Sequence, residues 1–434
     1  MTFKIWSRTG SMHALLVIFL FWGAAATRIS NNLRASAQSI KDDLNQPSIL
    51  DLENEDQALD GVSASRQRSG FNPKVQFNDA GEDDEDDDMD DKSFLLLGAS
   101  SDIGKGGSDD NGKDFCLKNK YRKRTFKVVK EMPFVGLFPE LKRTRRFEGS
   151  GITFANGSYW VVFDSLRSLG QVDLRFSFRG PLNKLVGPVG EESQFEGISY
   201  DNVTDTFFVL RESMEHEEHG LVPLTEELRL TESGNSYEVL ERCIVPFALQ
   251  DVNKGFESLV VFWRDGKRHM LGLCESNFCK TVLGPDPPGL QRGNGRLVWA
   301  TYHAPEDEFD ECRWDVQKVI HLPSDAYLLD YSAISFRGEF GTDVAVVSQE
   351  DAAVWVGVFD WKEMEFVTSN TDGTRMDRIY HFPRTSECRK QYCNVEGVAW
   401  IDGERLVVTS DKSKGTQDFR CMEKDQSLHI MALP

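Results

Sequence analysis

The stretch EGISY (residues 196–200) sets a carboxylate and a glycine at the start of a run that otherwise reads as a buried strand. A carboxylate there is costly unless something compensates it. The same shape recurs as SGITF (150–154), ESLVV (257–261), SAISF (332–336) and EGVAW (396–400). Each copy leads through a turn signal to a second apolar run: YWVVFDS, FFVLRES, MLGLCES, VAVVSQE and LVVTSDK. Asn156-Gly157, Asp265-Gly266 and Asp402-Gly403 are dipeptides of two-residue hairpins.

Further strand-like runs follow each hairpin: VDLRFSF after the first, EELRL and YEVLERCIV after the second, RLVWATY and DVQKVIHLP after the third, VWVGVFDW and RIYHFP after the fourth. Motif starts at 150, 196, 257, 332 and 396 lie 46, 61, 75 and 64 residues apart, the period of propeller blades with variable loops. A β-sandwich could hold five apolar hairpins but does not require the same polar residue at the head of each. The expectation is an all-β, five-bladed β-propeller over residues 116–434, with a sixth, degenerate blade in the third interval as the alternative. The last repeat is a strand short, and TFKVVKEM (125–132) is available to complete it, closing the ring between the chain ends.

The rest of the chain is of another kind. Residues 1–26 carry Lys4, Arg8 and the 13-residue apolar run ALLVIFLFWGAAA (14–26), the pattern of a signal peptide or, alternatively, an uncleaved signal anchor. Residues 27–115 centre on EDDEDDDMDD (82–91) and read as an acidic disordered segment: a solvating stalk, or a weak binder of calcium or a basic partner. The net charge of -20 argues against nucleic acid as a partner.

All eight cysteines follow the acidic segment, and an even count behind a secretory leader reads as four disulfides. The expected pairs are Cys274–Cys279 and Cys388–Cys393 by proximity, Cys116–Cys421 across the ring closure, and Cys243–Cys312 by elimination. Sequons at Asn156 and Asn202 agree with secretion. HEEH (216–219) reads as a polar loop, and RTRR (143–146) and KNKYRKR (118–124) as surface basic patches.

In a propeller the innermost strand of each blade lines the central channel, so a recurring head residue recurs around a ring. Ser150, Glu196, Glu257, Ser332 and Glu396 then converge on the axis. Carboxylates so placed repel one another, which a bound cation or raised pKa values would relieve. Oxygen-only donors select a hard ion, and Ca2+ suits such a set. The small residue after each head residue suits close packing near an axis. The returning strands end in Asp164, Glu212, Glu275, Glu350 and Asp411, which antiparallel pairing should bring to the same channel mouth.

The ordered Ser, Glu, Glu, Ser, Glu ring on propeller hairpins resembles the soluble calcium-activated apyrases, and the EG-hydrophobic motif is also similar to phytase-like and SdiA-regulated propellers. The resemblance implies that these five residues hold calcium and that the protein hydrolyses phosphate anhydrides or esters. The chain departs from the apyrases where they carry TDLD and DDRTG, reading FKVVKEM and FDSLRS instead. On the hydrolase reading Asp164 or Glu212 is the candidate base, and Arg167, Arg211 and Lys412 receive a small anionic phosphate-containing substrate. The alternative is a non-catalytic secreted propeller with structural calcium, its loop face binding a protein or glycan.

Overall fold

Where the sequence runs apolar between turn signals, the chain forms strands. The structure, a computed structural model, describes residues 123–434 except 139–146, 189–192, 250–253, 276–291, 306–310, 339, 368–377 and 416. The readings made for residues 1–115, for RTRR, for Cys116 and Cys279 and for most of KNKYRKR lie outside the described residues.

The first strand, β1 (Lys127–Pro133), is followed by a meander of β2 (Gly149–Ala155), β3 (Ser158–Phe163), β4 (Leu169–Val172) and β5 (Lys184–Val186). The second meander is β6 (Phe195–Asp201), β7 (Thr206–His216), β8 (Gly220–Leu230) and β9 (Tyr237–Ile244). The third is β10 (Phe256–Arg264), β11 (Lys267–Cys274), β12 (Arg296–His303) and β13 (Arg313–His321). β14 (Ala333–Phe336), β15 (Asp343–Ser348), β16 (Ala353–Asp360), β17 (Glu365–Phe366) and β18 (Ile379–His381) form the fourth group. β19 (Val395–Trp400), β20 (Arg405–Ser410) and β21 (Ser427–Ala432) end the chain.

The fold is all-β. β1 joins the last group in the order β1-β21-β20-β19, so the anticipated closure between chain ends is present. The second and third meanders count as one eight-stranded sheet because a single parallel bridge, Arg313↔Ile244, links β13 to β9. The first strands β2, β6, β10, β14 and β19 touch one another in cyclic order, the last returning to the first.

The core has the same cyclic form. Among the described residues five apolar clusters lie between consecutive groups. Trp160 and Phe207 join the first to the second, Phe208 and Trp314 the second to the third, and Leu271 and Trp355 the third to the fourth. Val347 and Val408 join the fourth to the last, and Phe163 and Ile430 the last to the first. Trp160, Trp314 and Trp355 are fully buried, and truncating such a side chain costs about 3–5 kcal/mol.

Several expectations are corrected. VDLRFSF is not a strand beyond Val172, because the Asp173 carboxylate accepts the Arg175 and Ser177 backbone N–H groups at 2.7 and 3.4 Å and bends the chain into a turn. Asn156-Gly157 and Asp265-Gly266 do form positive-φ hairpin turns. Asp402-Gly403 does not: Asp402 accepts the N–H groups of Glu404 and Arg405, each at 2.9 Å, and opens a longer loop.

Cys243–Cys312 forms as expected. Cys393, however, bonds Cys421 and not Cys388, and Cys421 is therefore not paired with Cys116. Proximity in sequence misled here, because the loop before β21 folds back over Cys393 and brings the two Cα atoms within 5.4 Å. Cys274 and Cys388 are also disulfide-bonded. Disulfides fit an oxidising compartment. No helix among the described residues is long and apolar enough to cross a membrane.

Candidate functional site

A strand alternates its side chains, so a core-facing strand cannot aim a carboxylate at the axis without breaking its own pattern. Four of the five head residues solve this in one way. Ser150, Glu196, Glu257 and Glu396 are each the extra residue of a β-bulge, skipped in the register between Gly149 and Gly151, Phe195 and Gly197, Phe256 and Ser258, and Val395 and Gly397. A bulge re-aims one side chain while the strand goes on. Phe195 and Ile198 accordingly stay in the core on either side of Glu196. Ser332 sits just before β14, with its N–H on the Val347 carbonyl at 3.0 Å.

The small residues after the bulges set how tightly the ring closes. A Cβ on Gly151 would lie 3.0 Å from Gly197 Cα, and one on Gly197 3.0 Å from Ser258 Cα. One on Gly397 would lie 3.1 Å from Gly151 Cα. Adjacent first strands therefore meet backbone to backbone, as the sequence suggested.

Three of the returning-strand acids repeat one geometry. The N–H groups of Asp164, Glu275 and Asp411 donate to the carbonyls of Glu148, Gly255 and Asn394, each two residues before a bulge residue, at 2.8, 3.1 and 2.8 Å. Glu212 is placed through its side chain, Oε1 accepting the Gly255 N–H at 2.8 Å. Glu350 departs from the expectation. It is exposed, and its N–H is held by the Asp330 carboxylate at 3.2 Å, so it does not join the ring. The position matching the other acids is the neutral Gln349.

The electrostatics follow from this crowding. Burial, and then the negative charges of Asp164, Glu212, Asp411 and Glu275, push Glu196 well above the ordinary carboxylate range. Glu257 is raised by burial and by Glu275, Glu196, Glu212 and Glu396. Glu396 is raised by burial, Asp411 and Glu196, with Lys414 opposing. Glu212 and Asp411 are each pushed up to about 7, burial again leading. The three bulge glutamates keep some contact with solvent along the channel while protein surrounds them on every side.

The donor set fits a hard divalent cation. It is oxygen throughout, and two buried oxygens, Glu275 Oε2 and Asp411 Oδ1, have no hydrogen-bond partner. Ser150 donates its hydroxyl proton to the Glu148 carbonyl at 3.3 Å and Ser332 to that of Val395 at 3.1 Å, leaving oxygen lone pairs for a ligand role. A second grouping, Glu241 with Cys243 and Cys312, is not a comparable site because both thiols are consumed in a disulfide.

The predicted substrate cations fare differently. Arg167 Nη2 and Arg211 Nε both meet the buried Glu226 carboxylate, at 3.2 and 3.4 Å, with Arg242 Nε there at 3.3 Å. They are committed to a carboxylate between the first two groups of strands. Lys412 is half-buried and shows no ion pair among the described residues. Sequence reading missed Lys254, 3.0 Å from Glu275 Oε1, because nothing local marks it. HEEH forms the tip of the β7–β8 hairpin, with the His216 and His219 rings stacked 5.0 Å apart.

The opposite end of the channel is a cavity of about 370 Å³ walled by Phe154, Tyr200, Trp263, Phe336 and Trp400. Its one lining aspartate, Asp201, is paired with Arg268 at 3.2 Å and with the Trp263 indole N–H at 2.9 Å. Among the described residues the acids raised by mutual repulsion gather at the other mouth, which makes that mouth the candidate chemical end.

No family model and no curated protein matches the chain. Among solved structures it is similar to the PQQ-bound aldose sugar dehydrogenase of Streptomyces coelicolor, with TM-score 0.40 and 13% identity, covering 72% of this chain and 99% of that one. Myxococcus xanthus glutaminyl cyclase gives TM-score 0.38 and 11% identity, covering 72% and 98%. The Cps50 (Swd1) β-propeller domain of Myceliophteria thermophila gives 0.33 and 9%, covering 71% and 100%. Likenesses this distant leave the chemistry to the residues themselves.

Proposed function

We propose that the protein is a calcium-binding, five-bladed β-propeller of the secretory pathway. The cation would be held on the channel axis by Ser150, Glu196, Glu257, Ser332 and Glu396. One observation supports this reading: four separate β-bulges set Ser150, Glu196, Glu257 and Glu396 at the heads of neighbouring first strands, among acids with too few cationic partners. Bulges in four of the five first strands are unneeded for packing, and the repulsion they create would be relieved by a bound ion.

On this reading the chemistry is hydrolysis of a phosphate anhydride or ester. Bound calcium would polarise a phosphoryl oxygen and orient water. Asp164 and Glu212 stand beside the ring as the candidate bases for that water. Lys412 remains the candidate contact to the substrate anion.

The pairing of Arg167 and Arg211 with Glu226 favours a second reading, in which calcium only rigidifies the channel and the loop face binds a protein or glycan. A phosphate-release screen over nucleotides and inositol phosphates, with calcium or with chelator, separates the two. Calcium-dependent turnover supports the hydrolase; its absence on every substrate leaves the non-catalytic propeller.

A further inference from the structure

The acids at the channel mouth are more numerous than one axial ion needs, and they are not evenly spread. One carboxylate oxygen from each of Glu212, Glu257 and Glu275 lies within 4.8 Å of the other two. These residues come from the second and third groups of strands only. We infer that Glu212, Glu257 and Glu275 form a second cation site, taking a hard divalent ion such as calcium beside the axial one.

The side chains are held as ligands are held. Glu212 Oε1 accepts the Gly255 N–H at 2.8 Å and Glu275 Oε1 accepts from Lys254 Nζ at 3.0 Å, which fixes one oxygen of each carboxylate. Glu275 is 9% exposed, and among the described residues its Oε2 is buried without a partner, a costly arrangement for a charged group unless something fills it. A cation between the three carboxylates would fill it. Oxygens on opposite sides of a calcium ion stand about 5 Å apart at ordinary bond lengths, so oxygens within 4.8 Å of one another are near enough to share one ion. Three carboxylates against one ammonium leave two negative charges, the charge a divalent ion neutralises. On this reading Glu257 serves both sites.

This inference rests on the axial reading only through Glu257, and calcium counting separates the two. Calcium alone, titrated into the intact chain by calorimetry with equilibrium dialysis as the count, should show two ions per chain. Glu275→Gln should retain the axial ion alone, and Glu396→Gln the off-axis ion alone. One ion that persists in Glu275→Gln and disappears in Glu396→Gln overturns the second site and leaves the axial one. One ion with the reverse pattern overturns the axial reading and keeps this one, and no binding overturns both. Should Glu275→Gln fail to fold, as judged by circular dichroism, Lys254→Ala gives an independent readout. Removing the competing ammonium should tighten one calcium-binding phase by about tenfold, equivalent to about 1.4 kcal/mol. An unchanged affinity in that variant counts against the site.

Discussion

Two of the regions that hold carboxylates treat them in opposite ways. At the seam where β1 closes on β21, Glu131 receives Lys424 Nζ at 2.6 Å, the Tyr392 hydroxyl at 2.5 Å and the His429 ring at 3.1 Å. These donors, His429 first, hold its carboxyl down at about 2 despite burial. Burial pushes His429 down, with Glu131 opposing. At the channel mouth, burial meets like charges instead, and Glu212 and Asp411 rise to about 7. A carboxylate whose donors are built in is part of the clasp. One whose donors are missing is arranged for something that arrives from outside.

The largest effect that sharpens this contrast belongs to the seam. Cys393–Cys421 spans 28 residues and ties the approach to β19 to the loop before β21, and its loss should cost about 3.6 kcal/mol on the loop-entropy relation. Chemical denaturation of a Cys393→Ser/Cys421→Ser variant should show this loss equally in calcium and in chelator. Peptide mapping without reduction should recover the Cys393–Cys421 link; recovery of Cys388–Cys393 would break the assignment.

Next comes the ion. Chelation should lower the melting temperature, with about 2.7 kcal/mol at stake when calcium is a hundredfold above its Kd, and Glu257→Gln should remove most of that shift. In a channel without an ion, the same substitution relieves repulsion. A Glu257→Gln variant more stable than wild type in both calcium and chelator would show a solvated acidic pore.

Glu131→Gln should be milder, about 1–2 kcal/mol for the loss of charge-assisted hydrogen bonds at a partly exposed group. It should also be indifferent to calcium, which calorimetry with and without chelator would check.

The smallest effect is a change of slope with pH. Glu131 has a depressed pKa, so its contribution is complete above about 4.5 and lost as pH falls toward 2. Glu212 and Asp411 are raised, so the native state holds extra protons between their ordinary range and about 7, and stability should fall as pH rises through that window. Melting curves in chelator should show both limbs. Calcium should flatten the neutral limb only, and Glu131→Gln the acidic limb only; a neutral limb unaltered by calcium would break the contrast.

The repeat was legible because antiparallel strands and hairpin turns are local matters. Alternation, Asn-Gly and Asp-Gly turns and the recurrence of one head residue all reside in short stretches. They suffice to foresee the five first strands and the use of residues 125–132 to close the sheet. Glu350 shows the limit of such reasoning. It has the right residue type one position past the register that matters, and a strand's period of two turns a one-residue offset into a different face.

What the sequence by itself determined is therefore the list of acids, their order and the strands that carry them. Only the tertiary structure decided which of those acids are compensated. The bulges that aim Ser150, Glu196, Glu257 and Glu396 are visible only in pairing with the returning strand. The partners that claim Arg167 and Arg211 lie in β8, and those that claim Glu131 lie close to three hundred residues further along the chain. Charge acts through space, over distances that only the folded chain sets, so the same residue type becomes a clasp in one place and an uncompensated charge in another.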